Sequence, residues 1–261
     1  DRILRAIVAG IAIMLLAAFI AWWVGRTLTR QIGLLASAAR SVRRLDFEHA
    51  RHLPPSRLRE LDDAAAAFNA MLEGLRWFET YVPRSLVRRL VRLGHVDSIQ
   101  SVEREVTVMF TDIAGFTTLS ERMTALEVAS FLNQHFTMID SCIDAEDGTV
   151  DKHMGDGVMA FWGAPEVEDD HGLRACRAAL AMLHAMIRDN DRRRQEGAVP
   201  VRLRVGIHTG PVTVGNIGGA TRVSYTIVGD TVNTADRLCE LGKQVPADGN
   251  DVVILISGET G

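Results

Sequence analysis

An α+β sheet domain, preceded by a membrane helix and a pair of heptad-patterned helices, is the fold class this sequence predicts. Three observations carry that expectation. Residues 6–25 run for 20 positions without a charge, close to the ~20 that cross a bilayer as a helix. Apolar residues then recur at alternating spacings of three and four through two segments before residue 77, the period of a coiled-coil seam. From about Glu103 the pattern changes to alternating strands and helices, and 261 residues leave room for more than one unit.

The apolar run is a membrane helix over residues 1–26. Trp22 and Trp23 sit at one end as an interfacial belt, and Arg26 and Arg30 follow. A signal-peptide core or a buried helix is the bland alternative. The run is long for a signal core, and no small-residue cleavage site precedes the arginine-rich continuation. Residues 26–59 hold eight arginines against Asp46 and Glu48, the excess expected on the cytoplasmic side of a plasma membrane, where anionic lipid attracts it. Arg2 and Arg5 at the other end weaken that orientation. The chain begins with Asp rather than Met, so an upstream sensor or further membrane helices are expected. Net charge is −4, with no basic groove of interleaved aromatics, which leaves nucleic acid without a footprint. Cys142, Cys176 and Cys239 lie far apart without CxxC or Cys/His spacing and read as buried free thiols.

Two heptad-like helices follow. Ile32, Leu35, Ala39 and Val42 share a stripe on the first. Leu58, Leu61, Ala65, Phe68, Leu72 and Leu75 form a more regular one on the second. Between them His52-Leu-Pro-Pro-Ser56 breaks any helix and lets the chain cross back. Over residues 27–77 this resembles a HAMP domain, the dimeric parallel four-helix relay of membrane receptors. Gln31 stands where that family often has a proline. An ordinary helical hairpin is the alternative. Residues 78–102 are expected to connect relay and output, through an amphipathic helix started at Pro83.

In the last region, 103–261, Val106, Val108 and Phe110 alternate as a strand does. Thr124-Ala-Leu-Glu127 is a capping box for a helix whose face is Val128, Phe131, Leu132, Phe136 and Ile139. Residues 149–154 and 157–162 predict a hairpin around Gly155-Asp156. Leu173, Cys176, Leu180, Leu183 and Ile187 mark the stripe of another helix, followed by a polar loop over 188–198. Strands are expected at 201–207, 223–228 and 252–256, and a helix over 231–241 capped by Asp230 and closed by Gly242. The helices are expected on one face of the sheet.

The chemistry starts from two aspartates. Asp112 and Asp156 each sit where an apolar run meets a glycine-containing turn. Taken alone, Asp beside Gly is usually just a turn. Carboxylates at strand ends, beside glycines that let the backbone approach a ligand, also suit divalent metals on a nucleotide phosphate. Two carboxylates can hold two metals, one activating an attacking oxygen and one steadying the departing phosphates.

Four motifs accompany them in order: Phe110-Thr-Asp-Ile-Ala-Gly-Phe-Thr117, Lys152-His-Met-Gly-Asp-Gly157, Gly206-Ile-His-Thr-Gly-Pro211 and Tyr225-Thr-Ile-Val-Gly-Asp-Thr-Val-Asn-Thr-Ala-Asp-Arg237. Through them residues 103–261 resemble the catalytic domain of class III nucleotidyl cyclases, a fold with a mixed, mainly antiparallel sheet. Such domains act as head-to-tail dimers that convert ATP or GTP to the cyclic 3′,5′-monophosphate and pyrophosphate.

The resemblance implies that Asp112, Asp156 and the carbonyl of Ile113 ligate two Mg2+ or Mn2+ ions. It places phosphate on the turn Ala114-Gly115-Phe116, where N–H groups precede a helix. Asn233 and Arg237, four apart and so on one helix face, would orient the ribose and stabilise phosphate charge; alone they would be a surface Asn and a salt-bridged Arg. Lys152 and Thr226 correspond to the pair that reads the base. Lys152 favours ATP, since guanine-selective relatives carry an acid there, whereas Thr226 replaces the more familiar Asp and loosens that selectivity. Arg222 is a further phosphate candidate or a solvated hairpin arginine. The aspartates would come from one protomer and Lys152, Thr226, Asn233 and Arg237 from the other, so a homodimer has two equivalent sites and a monomer two half-sites.

The implied function is a membrane-anchored adenylate cyclase governed through the relay. A guanylate or promiscuous cyclase is one alternative, and a non-catalytic nucleotide-binding signalling module another. His208 is expected to be structural, His153 and His171 lack a spaced metal-ligating partner, and Arg192, Arg193 and Arg194 are expected in a solvated loop. The sequence stops at Gly261, whereas this family's domain usually continues through another helix and strands.

Overall fold

A single uninterrupted helix, α1 (Arg2–Arg43), carries the apolar run straight into the first relay segment. The structure is a computed structural model that describes residues 2–43, 47, 50–56, 58–79, 101–219, 222–246 and 249–260. The stretch Gly10–Arg43 is long and apolar enough to cross a membrane; its most apolar 18-residue window has a mean hydropathy of 1.9 and none of that window is buried. An exposed surface of Ile, Leu, Phe and Trp suits lipid rather than water. The chain divides into two units, Asp1–Val82 and Pro83–Gly261. Most of the expected connector helix lies outside the described residues; Phe78 and Glu79 close α2 (Arg59–Glu79).

In the first unit the second heptad stripe packs as its spacing predicts. Ala65, Phe68 and Leu72 are buried in one cluster with Ala38, Ala50 and Leu53, and with Leu34, Leu35 and Val42 against them. Leu58 stands exposed just before the helix begins. On α1 the seam is rotated from expectation: Ala38 is buried, while Ile32 and Ala39 are exposed. A contact between two helices uses only part of a heptad face, and a small residue at its centre allows close approach. The Pro-Pro connector is held by α2. The Asn69 amide donates to the Leu53 carbonyl at 3.0 Å and accepts from the Leu53 N–H at 2.8 Å. Arg76 donates to the carbonyls of Phe47 and Ala50.

The second unit is built on a six-stranded sheet, with strand path β2-β3-β1-β4-β5 and β6 beside β4. Its elements are β1 (Val102–Ala114), α3 (Phe116–Ser120), α4 (Ala125–Ala145), β2 (Thr149–Met154), β3 (Gly157–Trp162), α5 (His171–Gln195), β4 (Arg202–Gly219), β5 (Arg222–Val228), α6 (Asp230–Leu241) and β6 (Val252–Ile256). Every pairing is antiparallel except β4 with β6. The unbroken apolar run of β3, buried at every position, gives the sheet two apolar faces. Met109, Ile113, Val158, Ala160, Leu203 and Val205 face one core with residues of α4 and α5. Val106, Val108, Phe110, Met159 and Phe161 face another with Ala235 and Cys239 of α6. Helices therefore cover both faces, not one as expected: period-2 strands apolar at both parities demand cover on each side.

Two expectations for α5 are corrected. Its core face is Ala175, Ala178, Ala179, Met182 and Met186, while Leu173, Leu180 and Ile187 are exposed. Small residues win the sheet side because they let the helix sit close. The helix also continues through the supposed polar loop to Gln195. Asp189 pairs with Arg192 and Arg193, and Asp191 with Arg194, at helical spacings. The three arginines are thus helical, and the Arg193 guanidinium lies 4.9 Å from the centre of the Phe131 ring. The Thr124/Glu127 capping box of α4 is formed as predicted. For α6, Gly229 takes the N-cap and Asp230 stands in the first turn, where its charge still favours the positive helix end.

His135, which the apolar face of α4 did not reveal, is buried between Phe131 and Phe136, and its Nε2 has no hydrogen-bond partner among the described residues. Burial pulls its pKa down from 6.5 to about 4; Asp189 and Asp140 oppose this and Arg193 adds to it. The unfolded chain therefore binds a proton near pH 6.5 that the folded one refuses until about pH 4, so stability falls as pH drops through that window. The loss approaches about 3 kcal/mol. Melting the membrane-reconstituted protein between pH 7 and 4 should show this decline, and His135→Leu should flatten it.

Candidate active site

Asp112 reaches the site because β1 ends there, and Asp156 because the β2–β3 hairpin folds back onto that end. Thr111 pairs with Val158 across the two strands, and its hydroxyl accepts from the Val158 N–H at 3.1 Å. Gly157 permits the contact: a Cβ there would lie 2.4 Å from the Thr111 carbonyl oxygen. Gly155 turns the hairpin with a φ of 63°. The result links the two aspartates through Ile113, whose N–H donates to Asp156 Oδ2 at 3.1 Å.

The electrostatics of the two aspartates favour positive charge beside them. Burial, then the Asp112 charge, raise the Asp156 carboxyl above its ordinary range, and the Ile113 N–H only partly offsets them. Arg204, facing Asp112 across β1 and β4, forms an ion pair with it. Its side chain is 11% exposed and its Nε has no hydrogen-bond partner among the described residues. Sequence reading missed Arg204. Its strand shows itself in the alternating Val201, Leu203, Val205 and Ile207, and Arg204 falls on the opposite, polar parity. Among the described residues no cluster of three or more His, Cys, Asp or Glu exists. A pair of carboxylates could instead contribute to holding a hard cation whose remaining ligands are water or other oxygens.

Beside the aspartates, Gly115 adopts a left-handed φ of 71° between β1 and α3. A cavity of about 290 Å3 adjoins this turn, lined by Ala114, Gly115, Thr118, Arg122 and Pro200 among others. Phe116 anchors the turn by stacking on Phe131 at 6.1 Å between ring centres.

Asn233 and Arg237 lie one turn apart on α6 and are exposed. The helix is seated by Gly206, where a Cβ would lie 2.2 Å from the Cys239 nitrogen and 2.4 Å from the Ala235 oxygen. Both obstacles are backbone, so Gly206→Ala must push α6 away. It should cost about 3 kcal/mol and lower the melting midpoint by roughly 6–12 °C, which differential scanning calorimetry can read.

The base-reading candidates are set apart. Lys152 is on β2 and Thr226 on β5, at opposite ends of the strand path. Lys152 pairs with Asp151 at 3.0 Å. Thr226 is buried, and its hydroxyl finds no hydrogen-bond partner among the described residues. Arg222 pairs with Gly219 at the end of β5, and its side chain lies outside the described set. His208 is structural as expected, with Nδ1 2.7 Å from the Ser257 hydroxyl. His153 meets Asp140, and His171 meets Thr107.

A mixed sheet with helices on both faces, carrying paired carboxylates at a strand end and an exposed Asn/Arg helix, defines a nucleotidyl cyclase fold. Residues 99–248 match the adenylate and guanylate cyclase catalytic domain, and residues 23–77 match the HAMP domain. The chain belongs to the family of adenylate and guanylate cyclase catalytic domains, with a HAMP domain before it. It is 34% identical over 243 residues to adenylate cyclase 1 of Rhizobium meliloti, covering 93% of this chain and 36% of that protein. The chain thus spans about a third of that relative's length. Among solved structures, the adenylyl cyclase CyaB from P. aeruginosa is 36% identical with a TM-score of 0.56, over 62% of this chain and 81% of that one. The guanylyl cyclase Cya2 is 34% identical with a TM-score of 0.54, over 61% and 78%.

Proposed function

We propose that this protein is a membrane-anchored adenylate cyclase, forming 3′,5′-cyclic AMP and pyrophosphate from ATP at sites shared between two copies. The observation that carries the reading is the aspartate pair, Asp112 and Asp156, joined through Ile113 and met by Arg204. Likeness to adenylate cyclase 1 and to CyaB supports the substrate.

Asp112, Asp156 and the Ile113 carbonyl would hold two divalent ions, Mg2+ or Mn2+, and the mutual repulsion of the carboxylates fits that use. Bound ions would supply Lewis acidity toward the ribose 3′-hydroxyl and neutralise triphosphate charge. The 3′-oxygen bonds to the α-phosphorus, the bond from that phosphorus to the bridging oxygen breaks so that pyrophosphate leaves with the electron pair, and the hydroxyl proton passes to water. Ala114, Gly115 and Phe116 would offer backbone N–H groups to phosphate, and Arg204 a guanidinium beside them. Asn233 would orient the ribose, Arg237 would stabilise charge on the phosphate, and Arg222 would be either a further phosphate contact or a solvated hairpin arginine. Lys152 would donate to adenine N1, and the unpartnered hydroxyl of Thr226 would accept from the exocyclic amine. Exposed Asn233 and Arg237 fit a surface completed by a second chain.

The apolar α1 and the HAMP domain support a membrane anchor, and the arginine excess after the run supports a plasma-membrane location with the catalytic unit cytoplasmic. An upstream sensor would act through the relay and the connector at 78–102. Product formation by the purified protein with ATP or GTP, and Mg2+ or Mn2+, tests the reading. Cyclic AMP is expected; no product from either nucleotide would overturn it. Thr226, together with likeness to the guanylyl cyclase Cya2, favours a second reading as a guanylate or promiscuous cyclase, which ATP/GTP competition separates.

A further inference from the structure

We propose that Asp151 is a positioning residue that fixes the Lys152 ammonium for base selection. The inference deepens the proposed function and rests on it. In a regular strand, neighbouring side chains point to opposite faces. Here the register slips: Val150 pairs with Ala160, yet Lys152 pairs with Met159, leaving Asp151 as the extra residue of a β-bulge. Bulges re-aim side chains, and this one brings Asp151 Oδ2 to 3.0 Å from Lys152 Nζ.

The burial of the pair is lopsided. The Asp151 side chain is 2% exposed and that of Lys152 50%. Asp151 Oδ2 has no partner in hydrogen-bond geometry among the described residues, so the lysine is its one recorded countercharge. A carboxylate withdrawn from water with so little compensation is costly to the fold. The flexible lysine stem gains a fixed origin in return, its ammonium held at the strand surface with protons directed outward. An ammonium held in place donates well to the N1 acceptor of adenine and opposes the N1–H of guanine. A wandering one discriminates less, because fixed polar groups are what make a site reject the wrong partner. Since Lys152 is half exposed, removing the Asp151 charge strands no buried cation, and the change need not unfold the strand.

The test uses the full chain in lipid nanodiscs. Wild type, Asp151→Asn, Asp151→Glu and Lys152→Ala are compared by steady-state kinetics with ATP and GTP, by binding of fluorescent ATP and GTP analogues, and by thermal melting. Asp151→Asn is expected to raise KM for ATP about 10-fold, as the ammonium loses its fixed position and donates less well to the base. It should leave kcat within about threefold and lower the preference for ATP over GTP by a similar factor. Asp151→Glu should recover part of the preference. If Lys152→Ala shifts KM and preference while Asp151→Asn shifts neither, Asp151 does not position the lysine, and the proposed function stands. If Lys152→Ala changes nothing in kinetics or binding, lysine base reading fails and this inference with it. Equal loss of melting temperature in both Asp151 variants, with preference intact, would make Asp151 merely structural and overturn the inference.

Discussion

Asp156→Ala should abolish cyclic nucleotide formation, by at least about a thousandfold, while the catalytic unit stays folded. Removing a single preorganised charge-stabilising group typically costs two to three orders of magnitude in rate. Here the lost group would also hold the ions that supply the reaction's electrophilic assistance. The stability half of the prediction comes from the same electrostatics. Burial and the Asp112 charge disfavour the ionised Asp156, so the carboxylate is present at the expense of the fold. Deleting it relieves repulsion and forfeits the Ile113 N–H bond at 3.1 Å, the bond from its own backbone N–H and the contact with Asp112. The melting midpoint is therefore expected to hold or rise as activity disappears. Loss of both together would mean that Asp156 is a structural turn residue, and undiminished cyclisation would remove the two-carboxylate mechanism altogether.

How far the sequence foretold this arrangement depended on whether a feature repeats. The hairpin at 149–162, the capping box at Thr124/Glu127 and the last strand at 252–256 were all legible, because each rests on local periodicity or a local hydrogen bond. The core face of α5 was misread. Large apolar residues were given weight over alanines, yet Ala175, Ala178 and Ala179 are what the sheet accepts at close range. The polar stretch at 188–195 looked like a loop until its acids and arginines were counted at helical spacing. Helices on both faces could have been deduced from 157–162, where Val158, Ala160 and Trp162 alternate with Met159 and Phe161 rather than with polar residues. Arg204 and Asp151 were harder. Arg204 matters through a pairing with Asp112 across 92 residues, and Asp151 through a bulge. Neither a long-range register nor a strand irregularity leaves a trace in a single sequence.

Two inactive variants mixed together should recover activity, and the amount recovered tests the shared site. Asp156→Ala removes one half of each site and Arg237→Ala the other. If both halves of a site came from one chain, no mixture of the two variants could work. With the aspartates from one copy and Arg237 from its twofold mate, each mixed dimer has one site lacking both groups and one site lacking neither. Random pairing makes half the dimers mixed, and each keeps one site of two, so about a quarter of wild-type activity should return. Placement within one chain fits this geometry: Asp156 is on the hairpin that folds onto β1, whereas Arg237 is exposed on α6. Co-expression with two affinity tags, isolation of the doubly tagged dimer and assay with ATP would raise the expected value to about half, since every dimer is then mixed. A doubly tagged dimer without activity would place a complete site within each chain, leaving dimerisation a matter of anchoring and signal relay alone.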